Sequence, residues 1–207
     1  MHPSVELVCP KHHLRLALVE QGASYRCPEG CEFPVHNGIP RFVPQTNYAN
    51  SFGLQWNTFR RTQLDSYTRT TLSRDRLARI VGGPLSVFEG KATLEAGCGA
   101  GRFTEVMLNA GAIVFAADIS SAVEANRENC GASERHFVCQ ADITRLPVQG
   151  EQFDIVVCVG VIQHTPNPEE TMSALCSYVK PGGQLFIDHY PPNYPVGISR
   201  SILRRYL

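Results

Sequence analysis

The chain has 207 residues, 43% hydrophobic and 18% charged, with 19 basic side chains balancing 19 acidic ones. That is enough apolar material for one good core plus a small appendage, while zero net charge argues against broad nucleic-acid backbone binding, which needs many Lys and Arg contacts. No signal-like leader and no run of about 18 apolar residues occurs, so the expected location is the cytoplasm, away from membranes, where eight cysteines read as metal ligands or buried small side chains rather than disulfides.

Residues 1–44 form a compositional island with three cysteines, His2, His12, His13 and His36, and six prolines. Cys9-x2-His12 and Cys27-x3-Cys31 place two ligand pairs on two tight knuckles. Three soft thiolates and an imidazole, in two pairs, make a tetrahedral zinc site, which holds together a segment too small for its own core. His13 is an alternative to His12, and His36 an outside candidate. An unmetallated ribbon is the bland reading.

Residues 45–90 change to helical spacing, ended by Gly82, Gly83 and Pro84. Their stretch "SFGLQW" carries the only tryptophan, Trp56, beside Phe52 and Gln55. Core packing explains such aromatics as readily as function does.

From residue 91 to 207 strands and helices alternate, the pattern of a parallel sheet covered by helices. Strands are expected at 92–96, 113–117, 136–140, 153–159 and 184–190, and helices at about 101–110, 120–129 and 168–179. The run "FDIVVCVGVI" reads as a central strand buried on both faces. Cys139 and Cys158, in strands, read as inert core thiols.

The first of these strands runs into "TLEAGCGAGRF", with Gly97, Gly99 and Gly101 at alternate positions. A glycine turn between strand and helix lets backbone approach a ligand closely. Asp118 ends the second strand, where a carboxylate accepts from ribose hydroxyls, and Asp142 follows the third, placed to reach an adenine amine. Each aspartate alone has a plainer reading as a helix cap. A dinucleotide's pyrophosphate wants a free helix N-terminus, which Glu95 would oppose. An acid there suits a phosphate-free cofactor with a cationic amino-acid end, and S-adenosylmethionine fits.

In order, "LEAGCGAGRF", "AADIS", "QADI", "FDIVVCVGVIQHTPNP" and "VKPGGQLFI" resemble the motifs of class I S-adenosylmethionine-dependent methyltransferases, over about residues 45–190. The resemblance implies an α/β fold, a Rossmann-like doubly wound sheet of seven strands. Glu95, Gly97, Cys98, Gly99, Gly101, Asp118, Ile119, Asp142, Ile143 and Val159 would line the cofactor, and Val161 to His164 would lie near the sulfonium. Trp56, with Phe52 and Gln55, looks like a cap over the methionine end. His164 is the favoured general base, with His189 and Tyr190 behind it. The N-terminal stretch, and "FPVHNGIPRFV" above all, resembles the zinc ribbons of certain ribosomal-RNA guanine methyltransferases and of small methyltransferase-activating subunits.

Only 17 residues follow Tyr190, so the last two strands of that fold are expected to be missing. The fifth strand would then be an exposed edge, a route to a homo-oligomer. The expectation is a methyltransferase acting on a small molecule. An RNA methyltransferase and a non-catalytic cofactor-binding scaffold are the alternatives.

Overall fold

The computed structural model describes residues 5–19, 22–44 and 47–189. The N-terminal segment is an antiparallel ribbon of short strands in order β1-β2-β3-β4: β1 (Ala17–Val19), β2 (Ser24–Arg26), β3 (Glu32–His36) and β4 (Ile39–Pro40). Three short helices follow, α1 (Asn50–Thr58), α2 (Asp65–Thr68) and α3 (Leu72–Val81), and α3 stops where Gly82 turns left-handed.

Then comes the alternating unit: β5 (Ala92–Ala96), α4 (Arg102–Asn109), β6 (Ile113–Asp118), α5 (Ala122–Cys130), β7 (His136–Gln140), β8 (Phe153–Val159), α6 (Pro168–Tyr178) and β9 (Val179–Asp188). The five strands are parallel and ordered β7-β6-β5-β8-β9. The order reverses between β5 and β8, which opens a crevice beyond the carboxyl ends of these strands, where open α/β sheets bind ligands. In β5 every residue is buried, and in β8 all but Asp154 and Val159 are. Strands covered on both faces gain roughly 1.5–3 kcal/mol per large apolar side chain removed from water. Two apolar clusters result, one containing Phe115, Phe153 and Leu175, the other Leu77, Phe88 and Met107.

The expected strands 92–96, 136–140 and 153–159 match the observed bounds, and 113–117 gains one residue. The fifth differs. Its pairing with β8 runs Phe153↔Val179 and then jumps to Ile155↔Gln184, so "KPGG" bulges out and regular pairing covers 184–188. Residues 190–207, and with them Tyr190 and the expectation about the two final strands, lie outside the described residues.

The ribbon does not stand apart. Leu7 bridges Val148, Val8 N–H donates to Pro147 O (2.9 Å), and Phe42 N–H donates to Gln140 O (2.8 Å). Ribbon and sheet share one apolar cluster, in which Val5, Leu7, Cys9, Leu16, Tyr25 and Cys27 meet Ala141, Ile143, Leu146 and Val148. Arg41, only 7% exposed, reaches across to Glu124 and to Gln140 Oε1 (3.3 Å). The appendage therefore covers the β7 edge, while β9 is the outer strand on the other side among the described residues. No helix among the described residues is long and apolar enough to cross a membrane.

Candidate active site

A crevice of about 1680 Å³ lies between α1, the glycine turn and the ends of the strands. It is larger than the usual 300–1,000 Å³ of a single small-molecule pocket, leaving space for two ligands side by side. Glu95, Gly97, Cys98, Gly99, Asp118, Ile119, Asp142, Ile143, Val159, Trp56 and His164 all line it, as do Phe52, Gln55 and His189. Gly101 does not. It starts α4 with φ 94° and packs on α5, where a Cβ would stand 2.7 Å from Cys130 Sγ.

The glycines have separate tasks. Gly97 has φ 82°, and a Cβ there would lie 2.3 Å from Val161, so this residue lets the β8 turn close over β5. Gly99 faces the crevice below the Trp56 indole, 3.7 Å from the nearest ring atom to a Cβ at that position. Cys98 between them is a buried apolar residue whose thiol is held far up by burial. The Cys139 and Cys158 thiols are likewise buried and raised, Cys158 to about 12.

The aspartates keep their plain structural role and face the crevice as well. Asp118 Oδ2 accepts from Gly99 N–H (2.9 Å), which fixes the turn against β6, and Oδ1 accepts from Ser120 N–H and Oγ–H. Asp142 Oδ1 accepts from Thr144 N–H (2.9 Å) and Oγ1–H (2.8 Å), and among the described residues Oδ2 has no hydrogen-bond donor.

Glu95 is buried more deeply than its place in the motif suggested. It is 4% exposed, hydrogen-bonded to Thr104 of α4, and burial raises its carboxyl to about 8 from an ordinary 4.5, with Asp118 adding repulsion. In the ligand-free protein it is thus largely protonated at neutral pH. The reading of Glu95 as a standing anion is corrected: desolvation outweighs the hydrogen bonds that favour the charged form.

Helix α1 is clamped over the crevice through α5. Asn57 Nδ2–H donates to Ser121 O (3.0 Å), Asn129 Nδ2–H donates to Arg60 O and Ala100 O (both 2.8 Å), and Arg60 pairs with Glu128. Phe52 of this cap lies against the exposed His164 ring, centroids 5.3 Å apart.

Several site residues escape sequence reasoning. Arg76 of α3 donates to Asp188 at the end of β9 (2.6 and 3.2 Å), and Arg76 and Arg102 both lie over Phe103. Arg102 has no carboxylate within ion-pair distance among the described residues, bonding Ser73 Oγ (3.0 Å) and Gln63 Oε1 (3.4 Å) instead. Gln163, by contrast, falls within the 161–164 stretch expected near the sulfonium; it lines the crevice, and both its amide atoms are buried without a hydrogen-bond partner among the described residues. An unpaired buried amide costs about 1–3 kcal/mol per group, a cost that a bound water or a ligand would remove. A chain-long pairing such as Arg76 with Asp188 leaves no local signal; Arg102 was visible only as the residue after Gly101.

In the ribbon, the Sγ atoms of Cys9, Cys27 and Cys31 stand 3.7, 3.4 and 3.7 Å from His12 Nδ1. Tetrahedral zinc with ordinary Zn–S and Zn–N bonds puts sulfur and nitrogen about 3.6 Å apart. Burial would raise the Cys9 thiol, but backbone N–H groups of Lys11 and His12, with Cys27 and Cys31, hold it below its ordinary value. His13 is instead used for a left-handed turn (φ 56°), and the His36 carbonyl accepts from Arg41.

Residues 94–187 match a family model described as a methyltransferase domain. This part of the chain is similar to methyltransferase domains. The chain is 31% identical over 109 residues to a ubiquinone biosynthesis O-methyltransferase of Coxiella burnetii, covering 51% of this chain and 46% of that one. It is 35% identical over 103 residues to the protein of that name from Pseudomonas fluorescens, covering 47% and 43%. The chain thus spans under half the length of these curated relatives. A solved structure described as an S-adenosyl-L-methionine-dependent methyltransferase of Methanococcus maripaludis superposes with TM-score 0.57 at 14% identity, covering 79% of this chain and 75% of that one. That likeness concerns the fold, and the crevice of this chain sits where its sheet order reverses.

Proposed function

We propose that this chain binds S-adenosylmethionine in the crevice and methylates a small-molecule acceptor. The observation that carries the reading is the glycine turn itself. Gly99 N–H is tied to Asp118, bare backbone lies beneath Trp56, and three acidic residues, Glu95, Asp118 and Asp142, surround it. Those groups suit ribose hydroxyls, an adenine amine and an ammonium, and the two aspartates disfavour a phosphate beside them. When bound, S-adenosylmethionine supplies an electrophilic methyl group on a sulfonium.

The chain's own residues then have ordinary work. Phe52 and Trp56 offer aromatic faces to a cation and exclude water. Asp118 and Asp142 fix the nucleoside end. His164, exposed to the crevice against Phe52, is positioned to take a proton from an acceptor oxygen or nitrogen. Gln163 supplies an amide donor and acceptor for orienting that acceptor. Methyl transfer is an in-line displacement, so alignment is the protein's main contribution. The O-methyltransferase names of the relatives favour a hydroxyl acceptor.

The ribbon, in this reading, holds one structural zinc through Cys9, His12, Cys27 and Cys31. Four ligands leave no open position, so the metal supports the fold and takes no part in transfer.

The test is calorimetric titration with S-adenosylhomocysteine, followed by labelled methyl transfer to a catechol panel, to metabolite extract and to total RNA. Micromolar binding and a labelled small molecule are expected. Labelling of RNA alone would replace the acceptor class, binding without any labelled product would leave a cofactor-binding scaffold, and failure to bind S-adenosylhomocysteine would end the reading.

A further inference from the structure

Arg60, Arg76 and Arg102 line the crevice, and the first two are already paired, Arg60 with Glu128 and Arg76 with Asp188. Arg102, at the start of α4, has only neutral partners. Its Nε–H donates to Ser73 Oγ (3.0 Å), an Nη1–H donates to Gln63 Oε1 (3.4 Å), and the guanidinium lies 5.0 Å from the centre of the Phe103 ring. A guanidinium carries five N–H donors in a planar fork. The other Nη1–H and both Nη2–H bonds of Arg102 have no acceptor among the described residues, and they are enough for the two oxygens of a carboxylate.

The fork is held in place by buried groups. Ser73 is 1% exposed, and its hydroxyl donates to Gln63 O (2.9 Å), which turns the oxygen to accept from Arg102. Asp65 is the acid of this corner, and its oxygens are taken up by α3: Oδ1 accepts from Ser73 N–H and Oδ2 from Arg74 N–H (both 2.9 Å). Arg76 adds a second cation, 5.8 Å from the same Phe103 ring. Burial and the charge of Arg76 disfavour the Arg102 cation, and Asp65 offsets them only in part. An anion on the free N–H groups would remove that penalty.

We propose that Arg102 binds a carboxylate of the methyl acceptor, which makes the acceptor a small organic acid with its methylated oxygen or nitrogen elsewhere in the molecule; this role rests on the S-adenosylmethionine reading of the crevice and narrows its acceptor. The carboxylate is held and gains no methyl group, so the product keeps its negative charge.

The cofactor has a carboxylate of its own, next to the ammonium assigned to Glu95. Glu95 is bonded to Thr104, and residues two apart on a helix do not face the same way. Arg102 is drawn instead toward Ser73 of α3 and toward Gln63, which sets its fork apart from the ammonium site. A crevice of about 1680 Å³ has room there for a second ligand. Phosphate is the other oxyanion that a guanidinium fits. One uncompensated cation, in a crevice also lined by Asp188 and Glu169, balances a single negative charge and favours the carboxylate.

The test is equilibrium dialysis of metabolite extract against protein saturated with S-adenosylhomocysteine, the retained compounds being identified by mass spectrometry for wild type, Arg102→Gln and Arg102→Lys. Wild-type protein should retain a carboxylic acid that also carries a hydroxyl or an amine. Arg102→Gln should retain about tenfold less of it, and Arg102→Lys, which keeps the charge without the fork, an intermediate amount. Calorimetry should show all three binding S-adenosylhomocysteine within about twofold of one another, which also reports that the variants fold. Retention of no acid, of a phosphate ester in its place, or of equal amounts by Arg102→Gln would overturn the role of Arg102 while leaving the cofactor reading standing. About a tenfold loss of S-adenosylhomocysteine affinity in Arg102→Gln, with an unchanged melting midpoint, would give Arg102 to the cofactor's own carboxylate and overturn it as well. Failure of the wild-type protein to bind S-adenosylhomocysteine would overturn both.

Discussion

Glu95 shows how a single residue can serve a site at the expense of the fold. The unfolded chain ionises it near 4.5, whereas the folded chain retains the proton up to about 8. With the folded value raised, the stability is fully present below 4.5 and is lost as the pH rises through 8. Glu95→Gln should therefore flatten the decline in stability between those values and gain about 3 kcal/mol at pH 7, measured by denaturant unfolding across pH 4–9. The same variant should bind S-adenosylhomocysteine at least tenfold more weakly, since its head group then meets no carboxylate. At the other end of the chain, Cys31→Ser removes one of three sulfurs around His12 Nδ1. Purified variant should retain less than about 0.2 zinc per chain, against close to one in wild type, by elemental analysis.

At the scale of elements, the cap helix is located by a close approach that only glycine allows. A Cβ on Gly53 would stand 2.4 Å from Ser121 Oγ and 3.0 Å from Ser121 N, so α1 rests directly on the start of α5. Gly53→Ala should lift α1 from the crevice and weaken S-adenosylhomocysteine binding by about tenfold, equivalent to about 1.4 kcal/mol, with little change in thermal midpoint; a titration beside a melting curve separates the two. Trp56→Ala should produce a similar loss in affinity without moving the helix. The spacing of "SFGLQW" disclosed the aromatic residues of the cap but not Gly53, because what makes that glycine necessary is Ser121, far away in sequence.

Across the whole molecule, the ribbon and the α/β unit are packed against each other. They share an apolar cluster, and Arg41 spans them with its guanidinium buried against Glu124 and Gln140. Arg41→Met should cost about 2 kcal/mol, less than the 3–5 kcal/mol of breaking a fully buried pair, because Glu124 retains contact with water. With the ribbon holding zinc as proposed, a chelator should lower the midpoint of a single calorimetric transition, since a ligand bound only by the folded state stabilises whatever unfolds with it. Two separate transitions would show the ribbon to be independent.

The sequence by itself determined the parallel strands, the glycine turn and the cysteine and histidine pairs that the ribbon brings together. Each of these is local: apolar runs such as "FDIVVCV", glycines at alternate positions, and cysteine and histidine spacings that a knuckle fixes. It also placed Asp118 and Asp142, because a residue at a strand end reaches the crevice whatever the remaining chain does. Only the tertiary structure decided that Gly101 packs on Cys130 rather than facing a ligand, that Glu95 is a buried acid bonded to Thr104, and that the ribbon covers the β7 edge. The reason is physical. Burial, proton affinity and steric need at these positions are set by partners on other elements, and distance along the chain carries no information about which elements will meet.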